Sequence, residues 1–196
     1  TASDEVFVIG GSLIFSIALP LNALQIIWVN LLAGSLPSLA FAYDEDLDKD
    51  NKTRFKNKEL LTPEVKILTF GIGIITSILL FILYYYMLDF GMELSLARSI
   101  FFVCFATYIL VIAFSFRSLH RSIFTYNPFS NKQLNIAILI AFFFLIVTMS
   151  VAPLRNMLGI AALPLVWIWL VIAWSVFNVA LVEIVKWVFR HKLRAR

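Results

Sequence analysis

The residues of this chain that could do chemistry are polar side chains set inside apolar runs. Residues 19–44 read LPLNALQIIWVNLLAGSLPSLAFAYD, apolar enough for a bilayer, yet Asn30, Gly34, Ser35 and Pro37 interrupt the middle. In hydrocarbon every backbone amide needs a partner, so Gly and Pro survive only where neighbouring helices or a cavity supply one. A helix broken at membrane depth is a common way to build an ion site, because unwound carbonyls and polar side chains can face the ion. The competing reading is a proline-kinked packing helix, and this stretch alone leaves both open.

Other chemistries fail on spacing. Asp44, Asp46, Asp48 and Asp50 alternate in a way that suggests a calcium loop. Started at Asp48, such a loop puts Lys52 fifth and Thr53 where the turn requires Gly, so an EF-hand is rejected. His120 and His191 lie in basic flanks without a partner at metal-ligand spacing. Cys104 is the single cysteine, inside an apolar run, and reads as a packing residue rather than part of a disulfide or metal framework. Glu183 and Lys186 form an i,i+3 pair read as structural, and Asn178 is placed to bond a neighbouring helix.

These residues need elements to hold them, and composition says which. The chain is 61% hydrophobic and 14% charged, with a mean hydropathy of +0.91. Soluble domains are roughly 45–50% apolar. The expected fold is therefore all-α: a polytopic membrane bundle of six transmembrane helices, with the second broken near Gly34–Pro37. The spans are expected at about 5–19, 23–43, 65–87, 96–116, 134–152 and 165–188. Gly10, Gly11, Ser12 and Ser16 offer close-packing positions on the first, and 20–22 is a hairpin turn. Thr62-Pro63-Glu64 reads as cap, first-turn proline and first-turn acid. Tyr84 to Tyr86 read as an interfacial belt, and Ser130 to Gln133 as a capping box opening the fifth span. The organisation expected is a hairpin at 1–43, a charged cytoplasmic loop at 44–64, and a four-helix membrane domain with a basic tail at 65–196.

Six spans put both termini on one side. Of the sixteen Lys and Arg residues, only Arg98 and Arg155 then fall opposite, leaving fourteen with the termini. That imbalance predicts cytoplasmic termini. The net charge of +4 comes from residues at span ends, which anchor helices to lipid headgroups. It is no nucleic-acid signal. The opening TASDEVFVIGGSL has neither an initiator Met nor a basic leader, and is expected to continue a longer or processed polypeptide.

The stretch PLNALQIIWVNLLAGSLPSLAFAYD resembles the fifth-to-sixth transmembrane segment of P-type cation-transporting ATPases. Pro20, Gln25, Trp28, Asn30, Leu36, Pro37 and Ala40 fall on the family pattern. The six spans, the charged loop and the basic tail resemble that family's last six helices. The resemblance implies a membrane portion of an ATP-driven cation transporter, integral to the lipid bilayer, with the plasma membrane as the expected location. Upstream cytoplasmic and membrane domains would be its partners, and the parent would use ATP and Mg2+. This sequence contains no DKTG phosphorylation motif and no nucleotide-binding domain, so catalytic residues are expected elsewhere.

The resemblance also implies ligands. Glu5 falls on a fifth-helix glutamate ligand and Asn30 on a sixth-helix asparagine ligand. A buried carboxylate must pair, protonate or bind a cation. Asp4 lies about 100° around the helix from Glu5 and joins the candidates at the edge of the same cavity. The departures reduce the site: the family's Thr-Asp pair is Ala33-Gly34, its fifth-helix asparagine is Ala2, and Ile109 stands near its eighth-helix acidic or amide position, with Tyr108 and Ser115 nearby. Hard divalent cations take about six to eight oxygen ligands. Three readings follow: a pump for a monovalent ion or proton, a site rebuilt with Asp4, or a divergent member without ordinary selectivity. The alternative function is a non-catalytic membrane scaffold or partner subunit.

Overall fold

A computed structural model describes residues 2–43, 70–118 and 121–194. Within them the chain is helical, without strands. The elements are α1 (Ala2–Ile14), α2 (Ala23–Trp28), a π-helical segment (Val29–Ser35), α3 (Leu36–Phe41), α4 (Ile72–Asp89), α5 (Leu94–Phe116), α6 (Lys132–Ser150), α7 (Ala152–Met157) and α8 (Ile168–Arg194). Among the described residues five helices are long and apolar enough to cross a membrane: 23–41, 72–89, 94–116, 132–150 and 165–188. The expected 44–64 loop, with its Thr62-Pro63-Glu64 cap, lies outside the described residues, as does the start of the expected third span.

Helix α5 is the axis of the bundle. Every residue from 99 to 110 is buried, Cys104 among them. Helix α8 packs along α5, α1 packs against α4, and α3 packs against α6. The outward faces carry Leu, Ile, Val and Phe, exposed on α6 and α8 in particular. Apolar side chains on both the buried and outward faces are what lipid on one side and protein on the other require.

The first helix is shorter than expected. It stops at Ile14 because Ser16 adopts a left-handed conformation, φ 53°. The Ile17 amide donates to Ser12 O at 3.0 Å and the Ser16 amide to Leu13 O at 3.3 Å, a Schellman closure that satisfies carbonyls at the end of the helix. The chain then runs without helix to Asn22. Two of its carbonyls find donors from other helices: Tyr84 Oη donates to Ala18 O at 2.9 Å, and Arg98 Nε to Leu19 O at 2.7 Å. Tyr84 is thus a buried clamp rather than a headgroup residue, while Tyr85 and Tyr86 remain exposed as expected.

Asn22 and Gln25 form a reciprocal capping box that starts α2. Both side chains also donate to Leu158 O, at 2.7 and 3.1 Å, tying this turn to the segment after α7. The expected box at Ser130 moves by one residue. Asn131 caps α6 by accepting from the Leu134 amide at 2.8 Å, and the Ser130 hydroxyl donates to Asn127 O instead. The fifth span, expected at about 134–152, falls at 132–150, while the last keeps its expected bounds of 165–188. Pro153 has no N–H and cannot continue α6, so that helix closes at Ser150 and a new turn restarts with the proline in its first turn. Leu165–Trp167 is a 3-10 turn leading into α8.

The polar residues read as structural are placed as expected. Thr76 Oγ1 donates to Asn178 Oδ1 at 2.7 Å, joining α4 to α8. Lys186 Nζ lies 3.0 Å from Glu183 Oε1. Lys186 is fully buried and also donates to Ser115 O, so it closes the end of α5 instead of reaching lipid headgroups. Arg117 is likewise buried, donating to Asn127 O and Pro128 O at 2.9 Å each. These two cations hold loops rather than lipid.

Candidate functional site

The interruption in the second span does not unwind. Residues Val29–Ser35 widen into a π-helix between two α-helical turns, and Pro37 opens the second of these. A proline lacks the N–H that would continue the ladder and crowds the carbonyl four residues earlier, so the preceding backbone must adjust. Two carbonyls in the adjusted segment accept hydroxyls: Ser35 Oγ donates to Asn30 O and Ser38 Oγ to Gly34 O, each at 2.7 Å. The sequence suggested bare carbonyls facing an ion. Here those of Asn30 and Gly34 each already hold one hydrogen bond, and π-helical turns recur at functional sites.

Asn30 projects from this segment toward α1. Its Nδ2 donates to both carboxylate oxygens of Glu5, at 2.8 and 3.0 Å. Glu5 and Asp4 are both 8% exposed, so neither carboxylate sits free in water. Trp28, two residues before Asn30, anchors the start of the segment. Its indole donates to Thr148 Oγ1 at 3.2 Å and packs edge-on against Phe102, with ring centroids 5.3 Å apart.

Asp4 points a different way from Glu5. It lines an open cavity of about 680 Å3 together with Asn30, Ala33, Gly34, Gly73 and Tyr108. Tyr108 Oη, on α5, donates to Asp4 Oδ2 at 3.3 Å. The two acids are thus brought to one region by different contacts: Glu5 through the amide of Asn30, Asp4 through the phenol of Tyr108. Asp4 faces the space that the short side chains of Ala33 and Gly34 leave open. Ile109 presents only hydrocarbon to the same cavity. Ser115 lies at the far end of α5 with Lys186, away from the acids. Among the described residues no three His, Cys, Asp or Glu side chains gather, so these oxygens are the charged donors available.

Gly73 had only its small size to mark it in the sequence. Its contact with Asp4 depends on how α4 docks on α1, which no spacing rule reports.

Five apolar helices long enough to span a bilayer, one of them π-wound in its middle, with two buried acids on α1 beside it, define a polytopic membrane helical bundle. The comparisons give the family. The family model described as "Cation transporting ATPase, C-terminus" matches residues 18–188. The chain belongs to that family, as the C-terminal membrane portion of a P-type cation-transporting ATPase. It is 32% identical over 187 residues to calcium-transporting ATPase 1 of Bacillus cereus, covering 86% of this chain and 21% of that protein. It is 31% identical over 158 residues to a calcium-transporting ATPase of Bacillus subtilis, covering 77% of this chain and 17% of the relative. A calcium-transporting ATPase 1 of Yarrowia lipolytica is 26% identical over 135 residues. The chain therefore spans about a fifth or less of the length of the curated relatives it matches.

Proposed function

We propose that this chain forms the ion-binding and supporting helices of an ATP-driven cation transporter, with Glu5, Asn30 and Asp4 contributing the cation site. The observation that carries this reading is the Asn30–Glu5 contact beside the Asp4-lined cavity, where buried carboxylates and an amide meet a π-wound helix. Of the three site readings the sequence left open, this arrangement favours the one rebuilt around Asp4. Two carboxylates offset one divalent charge, and the relatives named for calcium transport point the same way. A calcium-sized ion takes about six to eight oxygens, so the remaining ligands come from water, carbonyls and residues beyond this chain. Two such ions side by side would exceed the charge these residues supply.

In this reading the parent polypeptide supplies ATP hydrolysis with Mg2+, and its upstream cytoplasmic and membrane domains are the partners of this one. Residues 1–43 carry the site, 44–64 face the cytoplasm and transmit movement from those domains, and 65–196 brace the bundle. Both termini are cytoplasmic, in keeping with the distribution of Lys and Arg, and the plasma membrane is the proposed location.

The test is ATP hydrolysis by the full-length polypeptide against a panel of Ca2+, Mn2+, Na+ and K+, with Glu5→Gln beside wild type. One cation should stimulate, and Glu5→Gln should raise its half-saturating concentration by about tenfold or more, the loss of one good charged ligand contact. If no cation stimulates and Glu5→Gln changes nothing, the scaffold alternative replaces transport.

A further inference from the structure

We propose that Gly73 and Tyr108 are positioning residues for the Asp4 carboxylate, holding it against the cavity wall opposite Ala33 and Gly34. This rests on the reading of Asp4 as a cation ligand.

Gly73 lies at the start of α4 and shares the cavity with Asp4. A Cβ placed on Gly73 would stand 2.5 Å from Asp4 Oδ1, 3.4 Å from its Cγ and 3.6 Å from its Oδ2. The first distance is shorter than side chains tolerate. The three nearest atoms all belong to the Asp4 side chain, and none to the backbone of α1. An ordinary helix-packing glycine would bring two backbones together. Here the missing methyl makes room for a carboxylate.

Tyr108 supplies the other half of the hold. It is 1% exposed, on the fully buried stretch of α5, and its ring packs edge-on against Phe105 with centroids 5.5 Å apart. Its orientation is therefore set by packing, and its hydroxyl reaches Asp4 Oδ2 from a fixed point. One oxygen of Asp4 lies against the α4 backbone and the other meets α5. An aspartate has only two side-chain torsions, so both contacts constrain where its charge sits.

The consequence is geometric. A carboxylate at position 34 would reach this cavity from the π-wound segment, whereas Asp4 brings one to the same cavity from α1. A larger residue at position 73 would push that carboxylate away from α4, and loss of the phenol hydroxyl would let it turn. Hard cations bind through a shell of oxygens at short distances, so either change weakens binding before it weakens the fold.

The experiment uses the full-length polypeptide and two readouts. With Ca2+, Mn2+, Na+ and K+ as probes, Tyr108→Phe and Gly73→Ala should each raise the half-saturating concentration of the stimulating cation by about tenfold, with a smaller effect on maximal rate. The thermal midpoint is then measured for Gly73→Ala, Asp4→Ala and the double variant. Gly73→Ala should lower the midpoint in wild type and leave it equal or higher in the Asp4→Ala background, because Ala is the better helix former once the clash is gone. An equal loss in both backgrounds overturns the proposal and makes Gly73 a packing glycine. An unchanged half-saturation in Tyr108→Phe, where Asp4→Asn shifts it, overturns the part assigned to Tyr108. If Asp4→Asn leaves the cation response unaltered, the ligand reading fails, while the thermal cycle still decides whether Gly73 and Asp4 are coupled.

Discussion

Removing the Lys186 ammonium while keeping its length, as in Lys186→Met, should destabilise the bundle by about 3 kcal/mol. Nζ donates to Ser115 O at 2.5 Å, to Arg121 O at 3.3 Å and to Glu183 Oε1 at 3.0 Å, and the side chain is fully buried. Breaking a buried ion pair by removing one partner costs about 3–5 kcal/mol, because the other charge is left behind. Glu183 would not be stranded completely: its second oxygen accepts from Ser122 Oγ at 2.6 Å and the Ile123 amide at 3.2 Å, which places the expected loss at the lower end. Reversible unfolding in mixed micelles measures the cost, and Glu183→Gln with the double variant completes the cycle. The double variant should be less destabilised than the sum of the singles by about 1–3 kcal/mol. A loss below about 1 kcal/mol for Lys186→Met, or a cycle that adds without remainder, would refute the buried-pair account and return Lys186 to the membrane surface.

Gln25→Ala removes the return half of the capping box and one of the two donors to Leu158 O. The cost should be about 1–2 kcal/mol, with faster proteolysis between residues 151 and 164 as the local readout. Asn178→Leu takes away the acceptor of Thr76 Oγ1 between α4 and α8, and should cost about 0.6–1.7 kcal/mol by the same unfolding assay. Thr76→Val in that background should then cost almost nothing.

The class of fold was legible because it rests on local chemistry. Long apolar stretches that end in charge have few alternatives to membrane helices, and Asn178 and Cys104 had simple readings that the packing bears out. Boundaries were less legible where two local signals competed. Ser130 and Asn131 are both good caps, and the neighbour at Asn127 engages the Ser130 hydroxyl while Asn131 takes the Leu134 amide. The first span hid its early end because Ser16, not a glycine, adopts the left-handed turn. Tyr84 was assigned to the membrane surface by type, yet it satisfies a carbonyl that another segment leaves open, and Lys186, read as a structural partner of Glu183, also takes the Ser115 carbonyl.

By itself the sequence determined that this is a membrane bundle and that its second span is interrupted around Asn30 to Pro37. Those facts follow from residue type and order, which hydrocarbon reads directly through the cost of unpaired polar groups. Only the tertiary structure decided that the interruption is π-wound, that Asn30 takes Glu5, and that Asp4 turns toward Gly73 and Tyr108. Those contacts join helices separated by up to 104 residues, and depend on the rotation of each helix about its own axis, which is set when their surfaces pack.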